Sequence, residues 1–162
     1  MKPNEPIVAA LGLSYFAMGK VTADLTDDDL LVRPVPGANH IAWQLGHVIS
    51  AEQRIVGGCG GKMPDLPDAF MERHAKETAD SDDPATFDKL RTYLDLMEAQ
   101  HKATLAFAAN ADEALLAQPG PEPIRQFAPT VCAALMLAAN HRSFHAGQFG
   151  PIRRKLGKPV AF

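Results

Sequence analysis

The sequence has few cysteines, little net charge and no long uninterrupted apolar run, and each shortage excludes a class of protein. Two cysteines in 162 residues do not provide a disulfide framework, and they fit a reducing cytoplasm better than a secreted scaffold. A net charge of −3 gives no general attraction to nucleic acid or to an anionic membrane. Glycine and serine interrupt the apolar stretch near the N-terminus, so we expect neither a signal peptide nor a membrane-spanning helix.

The alternating pattern that is typical of strands is also missing, whereas apolar residues recur at helical spacing in four long segments. The first helix is predicted over residues 5–20. The second is predicted to begin after Asn39, whose side chain can cap the first turn. It is predicted to end at residues 57–61, because four glycines in five residues do not sustain a helix.

The third and fourth helices have their own start and stop signals. Asp83 is predicted to cap the third helix, with Pro84 in its first turn. The fourth is predicted to begin near Thr130, with a kink or break at Pro151, which cannot donate to the helical ladder, and a stop at Gly157.

Residues 62–83 are polar and contain prolines, which predicts a long connection with one short helix near residues 68–76. The length of the chain fits one domain over residues 1–162. The sequence therefore predicts an all-α fold, a single four-helix bundle.

Three histidines are the strongest chemical feature of the sequence. His141 and His145 are four residues apart, so they project from one face of the fourth helix, within about 40° of each other. His47 lies among apolar residues of the second helix, and three neutral imidazoles leave coordination positions open, as a catalytic metal requires. A pair with this spacing also arises readily by chance in a chain with six histidines, so solvated or hydrogen-bonded core histidines are the alternative.

Other metal sites fit the sequence less well. Arg142 stands where a zincin would have its glutamate. Glu98 and His101 make one Glu-x-x-His pair, but a di-iron carboxylate site needs two. His101 falls on the apolar stripe of the third helix, where we expect a buried, hydrogen-bonded histidine. His40 is expected near the start of the second helix as a capping side chain, and His74 has no evident partner in its polar loop.

The two cysteines and the basic C-terminal turn have simpler interpretations. Cys59 lies among glycines, and no basic residue is placed to lower its pKa, so we expect a loop residue rather than a reactive thiol. Cys132 is expected to be a small core residue. The cations at residues 153–158 are expected at the end of a helix from its dipole, without a nucleic-acid partner.

Two stretches together resemble the second and fourth helices of the DinB-like superfamily. They are NHIAWQLGHV at residues 39–48 and HRSFHAGQFGPIRR at residues 141–154. The resemblance extends more loosely over nearly the whole chain, including the LTDDDL turn and the PVPG loop before the second helix.

This resemblance implies an up-up-down-down four-helix bundle that holds a divalent metal through His47, His141 and His145. Members with known activity are metal-dependent enzymes that use low-molecular-weight thiols, such as bacillithiol, mycothiol or glutathione, for S-transfer or isomerisation. A metal at an open three-histidine site can bind such a thiol and lower its pKa.

We therefore expect an enzyme that activates a small thiol for transfer to an electrophile, and the alternative is a non-catalytic, stress-associated metal-binding bundle. One divalent ion, zinc or nickel, is expected, because imidazole suits both. Protons should compete with it below the ordinary histidine pKa of about 6.5. Gln44 and Gln148 are candidates to orient a ligand, and Arg54 is a candidate to meet an anionic substrate. The expected partners are a small-molecule thiol, an electrophile and a second copy of the chain, with which it forms a cytoplasmic homodimer. We expect the protein to bind neither nucleic acid nor a membrane.

Overall fold

The computed structural model describes residues 2–122 and 124–160, and all regular secondary structure in these residues is helical. The α-helices are α1 (Glu5–Thr22), α2 (Ile41–Gly58), α3 (Phe70–Arg73), α4 (Leu90–Asn110), α5 (Glu113–Leu116) and α6 (Val131–Lys155). Short 3-10 turns occur at Asp27–Asp29, Lys76–Thr78 and Pro84–Thr86. The predicted all-α class is confirmed, and the short helix expected near residues 68–76 is the single turn α3.

The four long helices form a bundle in which α1 and α2 each pack against both α4 and α6. Asn4, at the start of α1, donates hydrogen bonds to the carbonyl oxygens of Ala108 and Ala109 at the end of α4, so these helices are antiparallel. Arg153, near the end of α6, donates to the carbonyl oxygen of Val21, near the end of α1, so α1 and α6 run in the same direction.

Helix α2 runs parallel to α4. Its first half shares an apolar cluster with Tyr93 and Met97, whereas Ile55 and Val56 near its end share another with Ala108. The order of directions is thus up-down-down-up, which corrects the up-up-down-down order that the resemblance implied. The long connection over residues 59–89 explains the difference, because it is long enough to return the chain to the end of the bundle where α2 began.

A buried salt bridge between Glu52 of α2 and Arg142 of α6 lies inside the bundle. Glu52 also accepts a hydrogen bond of 2.7 Å from the Thr104 hydroxyl of α4. Arg142 contacts the carbonyl oxygen of Leu11 and the hydroxyl of Ser14, both on α1, at 3.4 and 3.3 Å. One ion pair therefore touches all four long helices.

The start of α2 differs from the prediction by one residue. The cap is His40 and not Asn39: Nδ1 of His40 accepts a hydrogen bond of 3.1 Å from the backbone amide of Trp43. The histidine is fully buried, and its Nε2 lies 3.0 Å from the carbonyl oxygen of Ser81. A contact with a distant loop thus selects the histidine as the cap.

The start of α4 is a larger correction. Asp83 caps only the 3-10 turn Pro84–Thr86, by accepting from the backbone amide of Ala85. The long helix begins later, at Leu90, whose amide donates to Oδ1 of Asp27 at 2.9 Å. The N-terminus of α4 is therefore capped by a side chain 63 residues earlier in the chain.

Helix α6 continues through Pro151 to Lys155, so of the predicted kink or break, the break does not occur. Pro151 and Gly147, four residues earlier, are both exposed, so water can satisfy the carbonyl group that the proline cannot. The helix stops as predicted before Gly157, which has a φ of 69°. In the part of the chain that the structure describes, no helix has the length and apolar character that crossing a membrane requires.

Removing one partner of the buried ion pair should destabilise the bundle more than removing both. Glu52→Leu or Arg142→Met alone leaves a buried charge without its partner, and each is expected to lower the free energy of unfolding by about 3–5 kcal/mol. The double variant is expected to lose less than either single variant. Urea unfolding in the presence of a chelator measures all three. Losses that simply add would show that the pair is not the unit that holds the helices.

Candidate metal centre

Helices α2 and α6 bring the three predicted histidines together. His47 comes from α2, and His141 and His145 come from successive turns of α6. One ring nitrogen of each histidine can be chosen so that all three lie within 4.8 Å of one another. The ring centroids are 4.7 to 5.2 Å apart. The antiparallel packing of α2 on α6 thus forms a cluster that could hold a metal ion.

Gln44 fixes the orientation of one imidazole. Its Oε1 lies 3.0 Å from Nδ1 of His145, and its Nε2 donates to the carbonyl oxygen of Asn39 at 2.9 Å. Because the amide nitrogen is already used on a carbonyl group, its oxygen must accept, and Nδ1 of His145 must donate. The unprotonated nitrogen of His145 is then Nε2, which is free to bind a metal ion.

Trp43 orients the second imidazole by stacking. Its ring lies parallel to that of His47, with 4.6 Å between centroids and 10° between planes. The indole Nε1 donates to the carbonyl oxygen of Ala75 at 3.0 Å, which anchors the tryptophan to the segment that follows α3. The tryptophan therefore connects His47 to the long connection between α2 and α4.

His74 packs against α2 next to His47 and is fully buried, although no partner for it was evident from the sequence. Its Nδ1 lies 2.7 Å from the carbonyl oxygen of Phe70, and its Nε2 lies 2.8 Å from the hydroxyl of Tyr93. A Cβ atom added to Gly46 would lie 2.0 Å from Cδ2 of His74. Glycine next to His47 is therefore needed for the histidine ring to pack against α2.

Burial keeps the three clustered imidazoles neutral. Burial, with the neighbouring His47 as the second cause, lowers the pKa of His141 to about 4. Burial also lowers the pKa of His145 to about 3, with the neighbouring histidines as the second cause. The pKa of His47 is lowered by burial too, and the backbone of His74 opposes this shift. Neutral imidazole is the form that binds metals.

The cluster opens into a pocket of about 290 Å³ between α2, α6 and the loop that precedes α6. The loop is closed at its base, where the backbone amide of Gly120 donates to the carbonyl oxygen of Pro129 at 2.9 Å. The residues that line the pocket are His47, Ala51, Arg54, Ile55, Pro121, Glu122, Ile124, Phe127, Leu137 and His141. His145 does not line it and is buried behind the other two histidines.

The remaining candidates divide between the site and other parts of the fold. Arg54 lines the pocket, whereas Gln148 is an exposed residue of α6 outside it. His101 is buried, stacks on Tyr15 with 3.9 Å between centroids and stands outside the histidine cluster. Cys59 is half-buried, and burial raises the pKa of its thiol to about 11, which does not favour a thiolate.

Sequence reasoning did not find the ion pair beside the site. Glu52 is five residues after His47, and Arg142 directly follows His141, so the ion pair and the histidines join the same two helices. A glutamate at an otherwise apolar helix position was the available signal, but its partner lies 90 residues away. Among the described residues, the histidine cluster contains no carboxylate, and the nearby Glu52 is paired with Arg142.

The fold and the site define a helical-bundle protein with a candidate three-histidine metal centre. Residues 17–149 match the DinB superfamily, and because this match covers most of the chain, the protein belongs to that superfamily. No curated protein matches the sequence at a significant level. A crystal structure described as the conserved protein of a locus from Enterococcus faecalis is similar, with a TM-score of 0.68 over 98% of this chain and 99% of that one. The two sequences are 17% identical, so this similarity concerns the fold.

Gly46→Ala tests the packing of the His74 ring against α2. The added Cβ must displace the His74 ring or α2, so the free energy of unfolding is expected to fall by about 1–3 kcal/mol. Zinc affinity should fall as well, because His47 is the next residue. Gly19→Ala is the matched control, since nothing lies within 4 Å of its added Cβ on α1. It should leave stability unchanged or raise it slightly. Equal stabilities of the two variants in urea would contradict this account.

The pH dependence of zinc binding tests the burial of the imidazoles. Protons compete with a metal only below the pKa that each ligand has in the metal-free protein. Since burial lowers these pKa values, affinity should change little near pH 6.5 and should fall mainly in more acid solution, as the pH approaches about 4. Burial thus shifts the loss of zinc affinity to a lower pH than the value of about 6.5 expected from the sequence. Competition titrations on folded protein measure it, and a steep loss that begins near pH 6.5 would mean solvent-exposed ligands.

Proposed function

We propose that the protein is a metal-dependent enzyme that activates a low-molecular-weight thiol and transfers it to an electrophile, or uses it in an isomerisation. The observation that carries this proposal is the histidine cluster beside an open pocket, with His47 and His141 in the pocket wall. An ion that served only the fold would not need an accessible pocket beside two of its ligands.

The donor set fits a divalent ion of the zinc or nickel type. Three imidazoles, His47, His141 and His145, would hold it, and imidazole suits both metals. The ion would supply the Lewis acidity that lowers the pKa of a thiol and presents it as a thiolate. The tautomer of His145 is already set by Gln44, so the ligand nitrogen needs no reorientation.

The chain's own residues give the candidate active site its shape. Gln44 acts as a positioning residue through His145 and does not itself face the pocket. Arg54 stands on the pocket wall, where it can meet an anionic group of a substrate. Apolar residues make up most of the remaining wall and exclude water from a bound thiolate. Gln148, which is exposed, is the weakest of the three candidates.

A cytoplasmic homodimer is part of this proposal. The large apolar side chains Leu13 and Phe16 on α1 are 69% and 53% exposed, and an interface between two copies of the chain would bury them. A dimer closed by two-fold symmetry is the commonest assembly of this kind.

Metal content and thiol chemistry test the function together. Protein purified without an affinity tag should contain about one divalent ion per chain, and His141→Ala/His145→Ala should lose it. His101→Asn, in a histidine outside the cluster, should keep it. Addition of a thiol to the cobalt-substituted protein should produce a sulfur charge-transfer band. The thiols to compare are bacillithiol, mycothiol, glutathione and coenzyme A.

The same thiols should be conjugated to a halonitrobenzene faster than in the absence of protein, and His145→Ala should remove the acceleration. Its loss of activity should exceed its loss of stability, because the apolar core does not depend on the ion. A bound ion without spectral change or acceleration for any thiol would support the alternative, a non-catalytic metal-binding bundle. Equal trace metal in wild type and the double alanine variant would contradict the metal centre itself.

A further inference from the structure

Arg54 is a cation available on the pocket wall. It lies seven residues after His47, two turns further along the same face of α2. Its side chain is exposed and forms no ion pair with any of the residues 2–122 and 124–160. The other charged residue of the wall, Glu122, pairs with Arg125 at 2.8 Å. The charge of Arg54 is therefore the one that a ligand can neutralise.

The described residues of the pocket wall include one carboxylate, that of Glu122, and its charge is balanced by Arg125. The two histidines of its wall bind metals as neutral groups. The buried carboxylate of α2, that of Glu52, is paired with Arg142. An ion held by three imidazoles would keep its double positive charge, which makes the pocket more favourable still for an anionic ligand.

An apolar surface faces this cation. Ile124 and Phe127 come from the loop before α6, and Leu137 comes from α6 itself. Phe127 is 60% exposed, although it stands at the edge of a pocket. Its position is held by the loop, since its backbone amide donates to the carbonyl oxygen of Ile124 at 3.1 Å. An uncovered aromatic ring at a pocket edge, carried on a hydrogen-bonded turn of the backbone, is suited to covering an apolar group of a ligand.

We propose that the pocket selects a small carboxylate with an apolar or aromatic body, the carboxylate paired with Arg54 and the body packed against Phe127 and Leu137. The volume of about 290 Å³ is at the lower end of the range for small-molecule pockets, so the ligand is small. This inference rests on the proposed function, since it names the class of substrate for the same site.

Binding of 3-phenylpropionate tests this inference without a thiol or a reaction. The comparison ligands are 3-phenyl-1-propanol, which lacks the charge, and propionate, which lacks the ring. Each is titrated into isotopically labelled protein, metal-free and zinc-loaded, and followed by NMR. Wild type should bind phenylpropionate about three to ten times more tightly than either comparison ligand. The shifted amide signals should include those of residues 51–55 and 124–127.

Substitutions at two positions separate the contribution of the charge from that of the aromatic ring. Arg54→Gln should remove the preference for the acid over the alcohol in both metal states and leave the alcohol's affinity unchanged, whereas Arg54→Lys should restore part of it. Phe127→Ala should lower the affinity for the acid and the affinity for the alcohol by the same factor. Arg91→Gln, in an exposed arginine of α4 that pairs with Asp95, is the control and should bind as wild type does.

Equal affinity for the acid and the alcohol in wild type would overturn the inference, and so would shifts that map to another surface. A preference that survives Arg54→Gln and vanishes when zinc is removed would mean that the carboxylate binds the ion, which would overturn the role of Arg54. None of these readouts needs thiol chemistry. The thiol experiments can therefore fail while the selectivity that depends on Arg54 is observed. The thiol experiments can equally succeed while that selectivity is absent.

Discussion

The buried salt bridge between Glu52 and Arg142 is the contact on which the arrangement of the bundle depends. It is shielded from solvent, and its hydrogen-bond partners lie on α1 and α4, so every long helix meets it. A buried charge is tolerated only when its partner and its hydrogen bonds are in place, so the pair disfavours sliding or rotation of any one helix. Apolar contacts in the core stabilise the bundle but are non-directional, so they allow several helix registers. The ion pair favours one register of the four helices.

This register also builds the candidate metal centre. His47 and His141 are close in sequence to the two members of the ion pair, so the contact that docks α2 on α6 brings the imidazoles together. Gln44 and Trp43 then fix two of the rings from the preceding turn of α2. Contacts within the chain itself therefore hold the histidines together, so the ordering cost of binding an ion is small. Such preorganisation suits a site that exchanges one of its ligands during a reaction.

The features predicted from the sequence are those that depend on local pattern. Helical spacing revealed the four long helices, and the four-residue spacing of His141 and His145 placed them on one face. The features that were missed depend on contacts between distant residues. Asp27 sets where α4 begins, His74 requires Gly46, and the long connection sets the direction of α4. Periodicity shows which side of a helix faces the core, but it does not give its direction or its neighbour.

If His47, His141 and His145 hold an ion with a coordination position left open to the pocket, X-ray absorption at the metal edge of the zinc-loaded protein should reveal that position. We expect imidazole nitrogens at about 2.0–2.1 Å with one further light atom, and replacement of that atom by sulfur at about 2.3 Å when a small thiol is added. A coordination shell that is complete without exogenous ligand and unchanged by thiol, or one that His145→Ala leaves intact, would contradict an open three-histidine site.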